Sequence, residues 1–200
     1  MNLEKIQDVT GVILAGGLSK RMGQNKALLT FNGVRIIQII SDLLTKLFKE
    51  VIIVTNSPEI YQFLPLTKIK DIFPGLGALA GIHSALYHSS TPYIFVTACD
   101  MPFLHKGVIG YINSVREDYD IVIPVSTYGL EPLHALYRTT TFDVIDTMLR
   151  KGHKQIISVF DQLRVKKVFP HEIKQIDPEF RSFWNLNTPD DYKALVKEDM

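Results

Sequence analysis

Five apolar runs rich in β-branched residues restrict the fold of this chain more than any other feature. They cover residues 9–15, 51–55, 69–73, 93–98 and 121–125. Each run is continuous rather than alternating, which is typical of strands that are buried on both faces. A sheet built from such strands needs other segments packed against each of its sides.

The segments between these runs have the apolar spacing of helices. Apolar residues recur on one helical face at Ile36, Ile40, Leu43 and Leu47. Further helical segments are predicted at 58–64, 79–87 and 108–115. Strands that alternate with helices indicate an α/β fold, in which a mainly parallel, twisted sheet carries helices on both faces. We therefore expect a single-domain, Rossmann-like architecture.

The pattern is less regular after residue 126. Strands are predicted at 133–138 and 164–169, and helices at 141–149 and 156–163. Near the end, Thr188-Pro189-Asp190-Asp191 predicts the start of a short helix. Thr188 can cap that helix, Pro189 suits its first turn, and the two acids suit its positive end.

Length and composition predict one compact domain over residues 1–200. Apolar residues make up 46% of the chain and charged residues 22%, as in ordinary globular proteins. The formal net charge of +1 provides no broad basic surface for nucleic acid or anionic membranes, so a small ligand is expected. No apolar stretch approaches the roughly 20 residues that span a bilayer. Cys99 is the single cysteine of the sequence, so an internal disulfide is excluded. We expect a cytoplasmic protein.

A glycine loop with two cations follows the first predicted strand. Residues 14–26, the glycine loop, read Leu-Ala-Gly-Gly-Leu-Ser-Lys-Arg-Met-Gly-Gln-Asn-Lys. Glycines let backbone N–H groups approach an anion closely, and Arg21 and Lys26 can add charge-assisted hydrogen bonds to it. The spacing matches neither the P-loop nor the dinucleotide-binding fingerprint. The alternative is a surface turn with solvated cations, but the complete string favours phosphate binding.

This loop resembles the signature of the molybdenum cofactor guanylyltransferases, a branch of the nucleotidyltransferases with a Rossmann-like sheet. The likeness covers nearly the whole chain, because four later segments also match the family pattern. They are Thr55-Asn56-Ser57, Asp71 followed by Gly77-Ala78-Leu79-Ala80-Gly81, Cys99-Asp100-Met101-Pro102, and the segment from Phe183 to Pro189. The resemblance implies transfer of GMP from GTP to the phosphate of molybdopterin, with release of pyrophosphate.

The resemblance also implies roles for particular residues. The N-terminal half is expected to bind the nucleotide and the C-terminal half the acceptor. Arg21, Lys26 and Asp100 are the expected catalytic residues. The expected nucleotide-binding residues are Leu14, Ala15, Gly16, Gly17, Lys26, Asn56, Asp71, Gly77 and Asp100. Molybdoenzymes or their cofactor chaperones are expected as transient partners.

Two residues depart from the family pattern. Asn25 stands where the family commonly has Asp before the loop lysine, and Ala78 stands where it has Pro. Lys26 and the glycines at both ends of the second segment, Gly77 and Gly81, are retained. We expect these differences to tune the site rather than abolish it.

Asp100 is the candidate metal ligand. It follows an apolar strand, and ligands of open parallel sheets bind beyond the carboxyl ends of the strands. Mg²⁺ is usually held by one or two carboxylates together with substrate phosphates, and the resemblance implies this role for Asp100. The alternative is an aspartate that caps the following helix.

Asp71 is the candidate for base selection. Its two acceptor oxygens match the adjacent N–H donors of guanine, whereas cytosine offers only an amino donor. Without the resemblance, Asp71 would be interpreted as an exposed loop residue and Asn56 equally well as a turn residue. Asn185 and Asn187 are expected near the acceptor phosphate or the metal, although local turn hydrogen bonds would explain them almost as well.

Two rival functions stay open at this point. One is a nucleotidyltransferase of the same fold that uses CTP on molybdopterin, or another small phosphorylated acceptor. The other is a non-catalytic nucleotide-binding module that signals to a partner. Loss of Lys26 or Asp100 would mark such a module, and both residues are present.

Overall fold

A central, mainly parallel sheet dominates the computed structural model, which describes residues 4–16 and 25–197. In chain order the strands are β1 (Ile6–Leu14), β2 (Thr30–Phe31), β3 (Val34–Arg35), β4 (Phe48–Val54), β5 (Thr67–Ile69), β6 (Tyr93–Ala98), β7 (Ile121–Ser126), β8 (Gly129–Leu130), β9 (His134–Arg138) and β10 (Val165–Val168). The sheet has the order β10-β7-β9-β6-β1-β4-β5, with β8 paired to β7, while β2 and β3 form a separate hairpin.

Strand direction confirms the predicted mainly parallel sheet. β1 pairs in parallel with β4 on one side and β6 on the other, and β4–β5 and β7–β10 are also parallel pairs. β9 runs antiparallel to both of its neighbours, β6 and β7. The short link from β7 to β9 explains this reversal, because a parallel crossover needs about a dozen residues or more.

The α-helices are α1 (Ile36–Leu47), α2 (Ala78–His88), α3 (Lys106–Ser114), α4 (Phe142–Arg150), α5 (Pro170–Ile173) and α6 (Pro189–Lys197). Short 3₁₀ helices cover Lys26–Leu28, Pro58–Tyr61, Thr139–Thr141, Ile156–Gln162 and Arg181–Phe183. None of the helices within the described ranges is long and apolar enough to cross a membrane.

Helices cover both faces of the sheet, as the continuous apolar strands predict. Val9 and Ile13 of β1 pack into a core shared with α1 and α3. Val12, on the opposite face of the same strand, packs into a second core with α2 and α4. Successive side chains of a strand point to opposite faces of the sheet, so a strand between two helical layers is apolar on both faces. The predicted single-domain α/β fold is therefore confirmed.

Three predicted segments need correction. The strand predicted at 69–73 ends at Ile69, because the Asp71 and Ile72 amides donate to the side chains of Asn56 and Ser84 rather than to a neighbouring strand. The helices predicted at 58–64 and 156–163 are 3₁₀ helices, Pro58–Tyr61 and Ile156–Gln162.

The predicted start of the last helix is confirmed in detail. Thr188 Oγ1 accepts a hydrogen bond from the Asp191 amide at 3.1 Å, and Asp191 Oδ2 accepts one from the Thr188 amide at 2.7 Å. Pro189 is the first residue of α6. This reciprocal arrangement satisfies backbone donors that the first turn leaves unpaired.

His134 is a titratable residue at the centre of the fold. It is fully buried on β9, with its ring 5.3 Å from that of Phe95 and 4.9 Å from that of Phe183. Burial lowers the pKa of His134 to about 3, and the nearby Asp177 carboxylate opposes this effect without cancelling it. The folded protein therefore holds a neutral imidazole near neutral pH.

Acid should destabilise the fold through His134. The pKa is depressed in the folded state, so the unfolded chain takes up a proton first as the pH falls below about 6.5. The resulting loss of stability is present from that pH down to the folded-state pKa. Between pH 7.5 and pH 5, the free energy of unfolding measured in urea should fall by about 2 kcal/mol more for wild type than for His134→Leu. Parallel stability curves for the two proteins would contradict this account.

Candidate functional site

A cavity of about 430 Å³, the main cavity, lies at the carboxyl ends of β1, β4 and β6. Its lining includes eight residues that the sequence predicts, Leu14, Ala15, Gly16, Lys26, Asn56, Asp71, Gly77 and Asp100. Gly17 and Arg21, which were also predicted, lie outside the described residues. The structure thus brings together loops that are widely separated in sequence.

Strand register explains why these loops meet. Leu14, the last residue of β1, pairs with Val54 of β4 and with Ala98 of β6. The pairing continues one residue further, where the Ala15 amide donates to the Val54 carbonyl at 2.8 Å and the Cys99 amide to the Leu14 carbonyl at 3.2 Å. Parallel strands in register end at the same edge, so the segments that follow them converge.

Lys26 is the cation at the centre of the site. Its ammonium group donates to Asp100 Oδ2 at 3.2 Å and to Asn187 Oδ1 at 2.9 Å. The side chains of Lys26 and Asp100 are only 15% and 16% exposed, so this ion pair is less screened than one on the surface. Lys26 therefore links the end of the glycine loop to the metal-ligand candidate and to the C-terminal segment.

Asn25 and Tyr61 join the two described ends of the glycine loop. Asn25 Oδ1 accepts from the Ala27 amide at 3.1 Å and caps the 3₁₀ helix that carries Lys26. Asn25 Nδ2 donates to the Tyr61 hydroxyl at 3.0 Å, and that hydroxyl donates to the Ala15 carbonyl at 3.4 Å. Tyr61 is buried, so one phenol ties both ends of the loop to the core. Sequence patterns gave no signal for Tyr61.

Asp71 and Asn56 form a reciprocal pair on the cavity wall. Asn56 Nδ2 donates to Asp71 Oδ2 at 2.8 Å, and the Asp71 amide donates to Asn56 Oδ1 at 3.1 Å. Burial raises the pKa of Asp71, and the hydrogen bond from Asn56 opposes this shift. A fixed, partly desolvated carboxylate forms stronger hydrogen bonds than one in water. Asp71 can therefore present acceptor oxygens to a ligand in the cavity.

A glycine turn leads from Asp71 to α2, whose first residues also line the cavity. Gly75 and Gly77 have φ of 82° and 76°. Gly77 combines this φ with ψ of −159°, a region that is essentially restricted to glycine. Ala78 is the first helical residue, a position at which proline is also well tolerated. The departure from the family pattern at Ala78 therefore leaves the turn intact.

Neither Asn185 nor Cys99 has the environment expected of a catalytic group. Asn185 Nδ2 donates to the Phe183 carbonyl at 3.0 Å, and Asn185 is not among the described residues that line the main cavity. Cys99 lines the cavity, but burial raises the pKa of its thiol to about 12, with the Asp100 charge acting in the same direction. A thiol with this pKa is a poor nucleophile near neutral pH.

The donor groups at Asp100 fit a magnesium ion. Its Oδ2 accepts from Lys26, while no hydrogen bond from the described ranges engages Oδ1. Across those ranges, no three His, Cys, Asp or Glu side chains come together as a metal cluster. Mg²⁺ does not require such a cluster, because one carboxylate, water and substrate phosphates complete its coordination.

The chain is similar to known proteins over nearly all its length. Residues 11–167 match the family model described as MobA-like NTP transferase domain. A probable molybdenum cofactor guanylyltransferase from Clostridium perfringens is 40% identical, with 94% of this chain and 96% of that protein covered. A molybdenum cofactor guanylyltransferase from Desulfosudis oleivorans is 37% identical, with 92% of each chain covered.

A solved structure has the same fold. It is molybdopterin-guanine dinucleotide biosynthesis protein A from Archaeoglobus fulgidus, with a TM-score of 0.84 and 27% identity. The comparison covers 96% of this chain and 100% of that one. The likeness therefore extends over nearly the whole chain.

The glycine turn gives a test of backbone strain. Gly77→Ala should lower the free energy of unfolding by about 1–3 kcal/mol, because alanine is strained at this φ and ψ. The added Cβ would meet nothing within 4 Å, so the cost comes from the backbone alone. Gly110→Ala is the matched control, since Gly110 lies inside α3 and its Cβ would also meet nothing within 4 Å. In urea unfolding, the free energy of unfolding of the control should rise by up to about 1 kcal/mol. Equal changes for the two substitutions would contradict the assignment of strain to Gly77.

Proposed function

The chain belongs to the MobA-like nucleotidyltransferase family, and on that premise we propose that it transfers GMP from GTP to the phosphate of molybdopterin. Pyrophosphate is the second product. One observation carries the proposal: the end of the glycine loop, Lys26, Asp100 and the Asp71–Asn56 pair all line the main cavity. That cavity lies at the carboxyl edge of the sheet, where open α/β sheets bind ligands.

Recognition of guanine is assigned to Asp71. Guanine presents two neighbouring N–H donors, and a carboxylate with two acceptor oxygens complements them. Asn56 orients this carboxylate with one hydrogen bond to Asp71 Oδ2 and holds the Asp71 backbone by accepting a second from its amide. CTP cannot supply the same pair of donors, so the pairing supports GTP as the donor nucleotide.

The triphosphate is assigned to the glycine loop and Lys26. Gly16 and Lys26 line the cavity at the two described ends of that loop. Gly17 and Arg21 belong to the same loop and are proposed to contact the phosphates through a backbone N–H and a guanidinium group. Leu14, Ala15 and Gly77 would complete the nucleotide site by close backbone packing.

Asp100 is the proposed magnesium ligand. Bound Mg²⁺ would supply neutralisation of the negative charge on the triphosphate. Asp100 itself lies beside Lys26, so the carboxylate and the ammonium group hold each other in position before substrate enters. Preorganised charges of this kind account for much of the catalysis of phosphoryl transfer.

In the reaction, an oxygen of the molybdopterin phosphate forms a bond to the α-phosphorus of GTP. The bond from that phosphorus to the bridging oxygen of pyrophosphate breaks, and pyrophosphate leaves with its electron pair. No covalent enzyme intermediate is required.

Asn187, hydrogen-bonded to Lys26, would place the acceptor phosphate next to the nucleotide, with the C-terminal half binding the rest of the acceptor. Asn185 would act indirectly, by shaping the same segment. Transfer of the product to molybdoenzymes or chaperones stays a prediction from the resemblance.

Turnover of GTP, Mg²⁺ and molybdopterin to the guanine dinucleotide and pyrophosphate tests the proposal. Lys26→Ala and Asp100→Asn should each lower kcat by at least about a hundredfold, because each removes a preorganised charge. Lys49→Ala and Asp42→Asn are matched controls. Lys49 is exposed at the amino end of β4, and Asp42 is exposed on α1.

The outcomes separate the alternatives clearly. Near-normal turnover in Lys26→Ala or Asp100→Asn would remove that residue from the mechanism. Turnover by wild type with CTP instead of GTP would replace the proposed donor. Binding of GTP without turnover of molybdopterin or release of pyrophosphate would favour a non-catalytic nucleotide-binding module.

Asp71→Ala should remove the preference for guanine. Ligand at about a hundred times its Kd stabilises a protein by about 2.7 kcal/mol, so thermal shifts with the four nucleoside triphosphates report relative affinity. GTP should give the largest shift with wild type, and this advantage should disappear in Asp71→Ala because the recognition edge is left unpaired. Asp42→Ala is the matched control and should keep it. Equal weakening of all four nucleotides would refute base recognition by Asp71.

A further inference from the structure

A second cavity of about 290 Å³ lies outside the main cavity. Its lining residues are Thr127, Tyr128, Glu179, Phe180, Arg181 and Trp184. One wall is the turn between β7 and β8, and the other is the segment around the 3₁₀ helix Arg181–Phe183. This combination of aromatic rings, one carboxylate and one guanidinium group has no place in the nucleotide site described above.

Aromatic contacts fix the floor of the second cavity. The Trp184 ring stacks on Phe103, with ring centroids 5.4 Å apart and an interplanar angle of 17°. The Arg181 guanidinium carbon lies 4.1 Å from the centroid of the same Phe103 ring. Trp184 and Arg181 therefore have defined orientations, and each is only partly buried, so both still present surface to the cavity.

The opposite wall presents Tyr128 on a well-anchored turn. The Tyr128 amide donates to Ser126 Oγ at 2.9 Å, and that hydroxyl donates to Glu131 at 2.5 Å. The backbone of the turn is thus held by side chains, while the Tyr128 side chain is 81% exposed. The Tyr128 ring therefore has a large uncovered face on which a flat ligand can stack.

The second cavity is connected to the main cavity by two short segments of chain. Phe103 follows Asp100 by three residues, so the ring that supports Trp184 and Arg181 shares one loop with the metal-ligand candidate. Leu186, two residues after Trp184, donates its amide to the Asp100 carbonyl at 3.0 Å, and Asn187 contacts Lys26. The walls of the second cavity therefore belong to the same two segments that carry Asp100 and Asn187.

We propose that the second cavity binds the pterin ring of the acceptor, an inference that rests on the proposed function. A pterin is a flat heteroaromatic ring, which stacks on aromatic side chains such as Trp184 and Tyr128. Its pyrimidine part carries neighbouring N–H donors, as guanine does, and Glu179 supplies the matching carboxylate. Asp71 and Glu179 would thus recognise similar hydrogen-bonding edges of two substrates in two cavities.

Steady-state kinetics with molybdopterin test this assignment. Tyr128→Ala and Glu179→Gln should each raise the KM for molybdopterin about tenfold or more, since stacking and a charged hydrogen bond are lost. The KM for GTP should change less than about twofold, because the main cavity is untouched. Tyr87→Ala and Glu117→Gln, at exposed positions elsewhere, are the matched controls. An unchanged KM for molybdopterin, or an equal rise in the KM for GTP, would overturn the proposal.

A binding measurement separates failure of this inference from failure of the proposed function. Trp184 is the only tryptophan of the chain, so intrinsic fluorescence reports directly on the second cavity. Biopterin should quench this fluorescence saturably in the presence of saturating GTP and Mg²⁺, and Glu179→Gln should weaken the quenching. Quenching without turnover would refute the proposed reaction but retain the pterin site. Turnover without saturable quenching, or displacement of biopterin by GTP, would refute the pterin site alone.

Discussion

The parallel pairing of β1 with β4 and β6 brings together the three strand ends around which the main cavity is built. Leu14 is in register with Val54 and Ala98, and backbone hydrogen bonds extend this register into Ala15 and Cys99. Side chains of β1 pack into a core on each face, so a slip in register would disrupt the close packing of both cores. The described ends of the glycine loop, Asn56 and Asp100 therefore lie close together in space although they are far apart in the sequence.

Lys26 adds a second level of organisation to this edge. Its ammonium group bonds to Asp100 from the N-terminal half and to Asn187 from the last loop. These two acceptors already restrict the rotamers of Lys26 in the free protein. Lys26 therefore loses less side-chain entropy when a ligand binds. The nucleotide end and the acceptor end of the proposed reaction therefore share one cation, and the positions of both depend on the same contact.

The position of the candidate site could be predicted from the strand ends. Lys26, Asp71 and Asp100 were selected through the family resemblance, and the structure places all three on the wall of the main cavity. The sequence could not show that the amides of residues 71 and 72 donate to side chains rather than to a neighbouring strand. For this reason the strand ends earlier than predicted. The second cavity was also missed, because Tyr128 and Trp184 are distant in sequence and meet only through tertiary packing.

The hydrogen bonds around Tyr61 have a fixed direction that limits how this chain can change. Asn25 donates to the phenol, which leaves the phenol proton for the Ala15 carbonyl. An aspartate at position 25, as in the family pattern, could only accept a hydrogen bond while ionised, so the phenol would turn to it and the carbonyl would lose its donor. We therefore expect substitutions at positions 25 and 61 to be coupled, because the side chain at 25 decides which acceptor receives the phenol proton.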